Sequence, residues 1–359
     1  MEQHGPWLSV DLSAIQRNAR RFRDLVEVPL LPMVKANAYG LGAVSVARAL
    51  ESVRPWGFGV ATVSEAEELR LHGFDLPIVV FIPLVPDLAE RYRQLDARPV
   101  IGDLAALDAW LAGAPLPFHL EIDTGMARAG FRWDDAAAIG ALRGRIADAP
   151  ARRGYEGIFT HFHSADLDLA TAGVQWDRLV AVVQALGSRP RFVHAAASAA
   201  GAAGRQFAGD LARPGLYLYG GRAGQITPEP ATRLQARVVA VRTVGQGDSV
   251  SYGATWTADR VETIATLGIG YADGMLRSLS SRGRIELGGA VLPIAGRVTM
   301  DMTMVAAGAA AVKPGDVATV FGGLVSLDQH AEAAGTSAYE ILTAIGHRVV
   351  RRYAGGAQG

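Results

Sequence analysis

Cysteine is absent from all 359 residues, lysine occurs only at positions 35 and 313, and neither sign of charge prevails. The missing cysteines exclude disulfides, iron–sulfur clusters and thiolate zinc sites. Basic and acidic residues balance at 35 each, so the totals carry no electrostatic footprint for nucleic acid or an anionic membrane surface. No apolar run approaches the roughly 20 residues that span a bilayer. The opening MEQHGPWLSV lacks the basic, apolar and small-residue succession of a secretory signal. A cytoplasmic protein with no nucleic-acid or membrane partner is the expectation.

What is present is apolar and long. Half the chain is hydrophobic, and its length exceeds the roughly 250–300 residues at which a single core stops growing. Short apolar runs fall at 31–34, 57–61, 78–82, 99–101, 117–122, 155–160, 192–196 and 213–218, separated by helix-like segments such as VSEAEELRLHG and AGVQWDRLVAVVQALG. Eight strand-then-helix units predict a (β/α)8 TIM-like barrel over 13–228. A doubly wound sheet has the same alternation but lacks here its glycine-rich GxGxxG turn. After residue 230, runs such as LQARVVAVRTV and RIELGGAVLPIAGRV are β-rich with little helix between them. They predict a mainly-β domain of 229–359, which the lone strand WLSVDL (in 1–12) is expected to join.

The scarcity of lysine directs attention to Lys35, at the end of the first run in LLPMVKANAYGLGA. Arginine meets nearly every other need for positive charge, so a lysine kept beside an apolar strand suits work that requires losing a proton, as nucleophile or base. The bland alternative is a snorkelling side chain with its head in water. Functional groups of a barrel gather at the C-terminal ends of its strands. There the chain offers Glu121, Asp123 and Arg128 in EIDTGMARAG, and His161, His163 and Asp166 in FTHFHSAD. His194 and Ser198 follow in VHAAASAAG, and Arg213 in ARPGLYLYGG. Ser198 is also a candidate helix N-cap. His161 and His163 have an H-x-H spacing that holds metal in some barrels, although no carboxylate partner is evident. In the β domain Tyr252 (DSVSYGATWTA), Tyr271 (GIGYADGM) and Arg297, Met300 and Asp301 (GRVTMDMT) stand in glycine-flanked turns.

Together these segments resemble the alanine racemases, pyridoxal-phosphate enzymes built from a barrel and a C-terminal β domain. The likeness runs from WLSVDLSAIQRNAR to YEILTAIGHRVVRRY. It implies that Lys35 in MVKANAYGLG carries pyridoxal 5'-phosphate as an aldimine and is one catalytic base, with Tyr252 in SYGATW as the opposing base in the partner subunit's site. The same likeness implies a cofactor site of Lys35, Tyr39, His161, His194, Ser198, Arg213, Gly215, Leu216 and Tyr339. Arg213, buttressed by His194, would face the pyridine nitrogen. Arg128 and the Met300 backbone would hold the substrate carboxylate. Tyr271, Arg277, Arg297 and Asp166 would line the access channel. The implied activity interconverts L- and D-alanine in a homodimer with shared sites and no metal. A phenol ionises near ~10, so the implied tyrosine base needs a cationic neighbour.

The chain also departs from the family pattern. Ala127 stands where glycine is usual before the arginine, Ala197 where asparagine is common, and Ser337 where a larger apolar residue is usual. These changes leave serine and other small amino acids open as substrates. Glu121 occupies the position of a lysine that some relatives carry in carbamylated form, and is expected to supply that anion directly and orient Arg128. A pyridoxal-phosphate decarboxylase would need cysteine and a carboxylate at the ring nitrogen. A single-barrel cofactor carrier would have no use for the β domain.

Overall fold

A computed structural model of the chain describes residues 5–114 and 116–356. The ends of the expected β unit, 1–4 and 357–359, and residue 115 of the expected barrel lie outside them.

The strands Phe58–Val60, Ile78–Val80, Ala97–Ile101, Phe118–Asp123, Tyr155–Phe159 and Phe192–His194 pair in that order, all parallel. Two less regular segments complete the ring. Leu31 N donates to Ala212 O and Val34 N to Gly59 O, both at 2.8 Å, while Arg213 N donates to Ala196 O at 2.8 Å. Residues 30–34 and 212–214 are thus walls of the barrel, kept from long ladders by Pro32 and Pro214, which have no N–H to donate. The eighth apolar run therefore divides: its start is wall, and Leu216–Tyr219 turns as a 3-10 helix. Leu31, Val79, Val100, Phe159, Phe192 and Leu211 plug the interior. Helices cover the outside. Leu12–Val26, capped by Asp11 accepting from Ala14 N, buries Ile15, Ala19, Phe22 and Val26 on one face, the spacing of an amphipathic helix. With both faces covered, the strands read as near-continuous apolar runs.

The β unit is organised on Thr232–Val244, which pairs antiparallel with Glu262–Leu267, Val317–Phe321 and Trp7–Asp11. Trp7–Asp11 also pairs in parallel with Val350–Ala354, so the first strand of the chain lies beside its last. That last strand reaches back to the barrel. Arg351 Nε donates to Gly40 O at 2.9 Å, and its other nitrogens tie down the Ile345, Gly346 and Val349 carbonyls. Tyr353 Oη donates to Leu41 O at 2.9 Å. Gly42, with φ +105°, makes room for this clamp, because a Cβ there would lie 1.9 Å from Tyr353 Oη.

Gly42→Ala should destabilise the protein by about 1–3 kcal/mol, read as a lower thermal midpoint. In a Tyr353→Phe background the loss should shrink, since the next ring atom is 3.1 Å away. A Gly42→Ala protein as stable as the parent would contradict the clamp.

Candidate active site at the barrel mouth

Lys35 is half-buried and opens an unusual turn. Ala36, Asn37, Ala38 and Tyr39 all have φ between 51° and 56°, a left-handed turn that costs L-residues roughly 1–2 kcal/mol each. Side chains hold it there. Glu65 Oε1 accepts from Ala36 N and Asn37 Oδ1 from Ala43 N, each at 2.7 Å. Glu65 is itself fixed in a capping box with Thr62. Burial lowers the Lys35 amine, Arg128 and Arg213 lower it further, and Glu65 opposes them.

Arg213 is fully inside the wall. Its Nη1 donates to His194 Nδ1 at 2.6 Å, and its Nη2 to the Thr160 and Ala195 carbonyls at 2.9 and 3.0 Å. The guanidinium also lies 5.0 Å from the centre of the Phe159 ring. Burial brings it down to about 9, against Glu121 and with Arg128, which leaves it charged at neutral pH. Among the described residues no carboxylate bonds it. Glu121, 6% exposed, is near enough to feel both arginines through charge, and its Oε2 is buried with no partner among the described residues. Burial raises its carboxyl, with Arg128 and Arg213 opposing and Asp123 reinforcing. Arg128 is exposed on the loop that Asp123 Oδ1 shapes by accepting from Gly125 N and Ala127 N.

His161 lies against Arg213, with its Nδ1 3.5 Å from Nη2. Burial, then Arg213, Arg128 and Lys35, pushes it down to about 3, so the ring is neutral. His163 is exposed and bonds Ser164. Both residues border one cleft, but no group of three or more His, Asp or Glu among the described residues is placed to hold a metal.

A cradle of backbone and hydroxyls lies beside these cations. Ser198 is not the N-cap; Ala197 is, and Ser198 Oγ instead accepts from Gly215 N and Tyr217 N at 3.0 and 3.3 Å. At Gly215 a Cβ would stand 2.3 Å from Tyr39 Oη, so only glycine lets the backbone and that hydroxyl approach. The Tyr39 ring packs against Tyr219 and Tyr339, 5.1 and 5.7 Å between centres. Burial, then Tyr339, pushes its phenol upward, keeping it a neutral donor. A cleft of about 630 Å³ opens over the cradle, lined by Met126, His161, Asp166, Ser198, Leu216 and Tyr339 among others.

The remaining candidates stand elsewhere. Tyr252 is 73% exposed on the β unit. Gly253 beside it packs on the Arg297 guanidinium and Ser251 Oγ donates to Arg297 O. Tyr271, Arg277, Met300 and Asp301 are exposed on the same unit. Within one chain the structure thus joins Lys35, Tyr39, His161, His194, Ser198, Arg213, Gly215, Leu216 and Tyr339, and gathers Tyr252, Tyr271, Arg277, Arg297 and Met300 on the β unit. Sequence reasoning missed Glu65, His119, Glu156 and Arg351. Glu65 alone left a signal, the T-x-x-E capping pattern of TVSE.

Residues 10–223 match the family described as alanine racemase, N-terminal domain, and 231–353 its C-terminal domain. The chain is 36% identical to an alanine racemase of Carboxydothermus hydrogenoformans, covering 97% of this chain and 99% of that protein. It is 38% identical to one of Salinispora arenicola, covering 96% and 97%. The crystal structure of alanine racemase from D-cycloserine-producing Streptomyces lavendulae superposes with a TM-score of 0.92 at 32% identity, over 100% of this chain and 99% of that one.

Amine labelling of the unloaded protein, read by mass spectrometry at Lys35, should titrate with a midpoint below the ordinary 10.5. Arg128→Ala should move that midpoint upward. An ordinary midpoint, or no response to Arg128→Ala, would contradict the electrostatics described.

Proposed function

The chain belongs to the alanine racemase family, and from that premise we propose that it interconverts L- and D-alanine on pyridoxal 5'-phosphate, with Lys35 and the partner subunit's Tyr252 as opposed bases. The observation that carries the reading is an amine lowered by burial, Lys35, at the mouth of a barrel whose wall holds a buried arginine with no carboxylate bonded to it among the described residues. The donor set fits a phosphorylated aldehyde. Lys35 would hold the aldehyde carbon through its amine. The Tyr39 and Ser198 hydroxyls, the amides at Gly215 and Leu216, and Tyr339 would receive the phosphate, and Arg213 the ring nitrogen.

When bound, the cofactor supplies an electron sink that acidifies the α-C–H of an amino acid. The protein's own residues then decide which protons move. Lys35, its amine lowered by burial and by Arg128 and Arg213, takes or returns the α-proton on one face. A second base on the opposite face is needed to invert the centre without turning the substrate over. Support for Tyr252 in that role is its exposure on the β unit together with Met300, Met302 and Tyr271, a surface suited to a second copy of the chain. Arg128, exposed on the mouth loop, and the partner's Met300 backbone would take the substrate carboxylate. The partner's Tyr271, Arg277 and Arg297, with Asp166 of this chain, would line the access path. Arg213 remains a cation with its N–H groups directed to His194 and carbonyls, so it does not hand a proton to the ring as a carboxylic acid would.

Chiral analysis of L- and D-alanine incubated with the cofactor-loaded protein tests the activity; no interconversion would reject it. Because Ala197 and Ser337 line the cleft, the panel includes serine and other small amino acids. Tyr252→Phe should lower turnover of L-alanine about 10²-fold or more while cofactor is retained; full activity from both isomers would remove Tyr252 from the chemistry. Glu121→Gln should raise KM severalfold with kcat less affected, and an unchanged KM would show that its charge does not bear on substrate binding.

A further inference from the structure

Below Arg213 a line of buried polar groups runs into the barrel. His194 Nε2 lies 3.0 Å from His119 Nδ1, and His119 Nε2 lies 3.4 Å from Glu156 Oε2. Glu156 Oε2 also accepts from Arg98 Nε at 2.8 Å. Both imidazoles are completely buried, His194 stacked on Phe159 and His119 on Phe192, with the Trp56 ring tilted against His119. Gly157 gives up a side chain to seat this line, since a Cβ there would stand 2.3 Å from His119 Nδ1.

Proton bookkeeping along the line has one solution for neutral rings. The Arg213 guanidinium can only donate, so His194 Nδ1 must be a bare acceptor. His194 then carries its proton on Nε2 and donates to His119 Nδ1. His119 in turn carries its proton on Nε2 and donates to Glu156, which as a carboxylate can only accept. Burial lowers both imidazoles, with Arg213 second for His194, while Glu156 opposes the shift at His119, consistent with neutral rings.

We propose that His119 and Glu156 are positioning residues that fix the tautomer of His194 and thereby the seat of Arg213. A carboxylate that orients a histidine in this way can govern catalysis strongly without touching substrate. Arg98 holds the far end of the line by its bond to Glu156. Reversing either ring would turn an N–H of His194 toward an N–H of Arg213, a repulsive contact that the guanidinium could relieve only by leaving its position. The kinetic consequence rests on the reading of Arg213 as a cofactor contact, whereas the tautomer does not.

Nitrogen-15 NMR of histidine-labelled, cofactor-loaded protein reads the tautomer directly. In the parent, His194 should show a protonated Nε2 and a bare Nδ1. His119→Phe, which keeps an aromatic ring but neither donates nor accepts, should give His194 a mixed tautomer and lower kcat about tenfold or more. Glu156→Gln, whose amide offers an oxygen or an NH₂, should loosen the His119 tautomer and lower kcat in the same direction. A parent His194 protonated on Nδ1 or on both nitrogens would overturn the proposal. So would variants that leave both the His194 signals and kcat unchanged. Should the parent fail to racemise alanine yet show the Nε2–H form, lost in His119→Phe, the relay would stand and the functional reading would fall.

Discussion

Arg213 sets a guanidinium inside the wall of a barrel, where removing a cation from water costs several kcal/mol. The structure compensates with hydrogen bonds to one imidazole nitrogen and two carbonyls, and with no ion pair among the described residues. That choice leaves the positive field largely unneutralised, and its neighbours respond to it. It helps to hold His161 and His194 neutral and to lower the amine of Lys35. Glu121 is the nearest counterweight, and its own carboxyl is raised by the same dry surroundings. The mouth is therefore a site of fixed cationic charge and neutral donors, suited to receiving an anionic group.

The same site depends on a segment held out of its preferred conformation. Four consecutive left-handed residues after Lys35 persist because the hydrogen bonds of Glu65 and Asn37, the glycine at 42 and the clamp from Arg351 and Tyr353 over-determine them. Strain of this kind is characteristic of functional segments. The clamp comes from the end of the chain, so the β unit supports the barrel mouth of its own chain while it carries Tyr252 elsewhere on its surface.

Much of this was legible in the residues. Alternating apolar runs and amphipathic helices show the barrel, because parallel strands covered on both faces lose their polar positions. The scarcity of lysine singled out Lys35, the strand ends offered His194, Ser198 and Arg213, and the family resemblance added Tyr39 and the roles of the others. The line below Arg213 was not legible. FHLEID reads as an ordinary strand, and Glu156 follows the basic run ARRG as though it were a solvated helix end. A register shift between Phe118 and His119 aligns His119 with Gly157, a tertiary fact without a local signal. Nor does Lys-Ala-Asn-Ala-Tyr announce a left-handed turn, since alanine favours the right-handed helix and only long-range bonds reverse it. The eighth run divides at Pro214-Gly215, where the chain leaves the wall to form the cradle.

On the proposed function, this cationic mouth receives an anionic, ring-bearing aldehyde on Lys35. A crystal structure of the protein loaded with pyridoxal phosphate tests it most directly. The expected result is continuous density from the Lys35 amine, the ring nitrogen against Arg213, the phosphate at Ser198 and Gly215, and the partner's Tyr252 across from Lys35. An unmodified Lys35, with the ligand away from Arg213 and the Gly215 cradle, would contradict it.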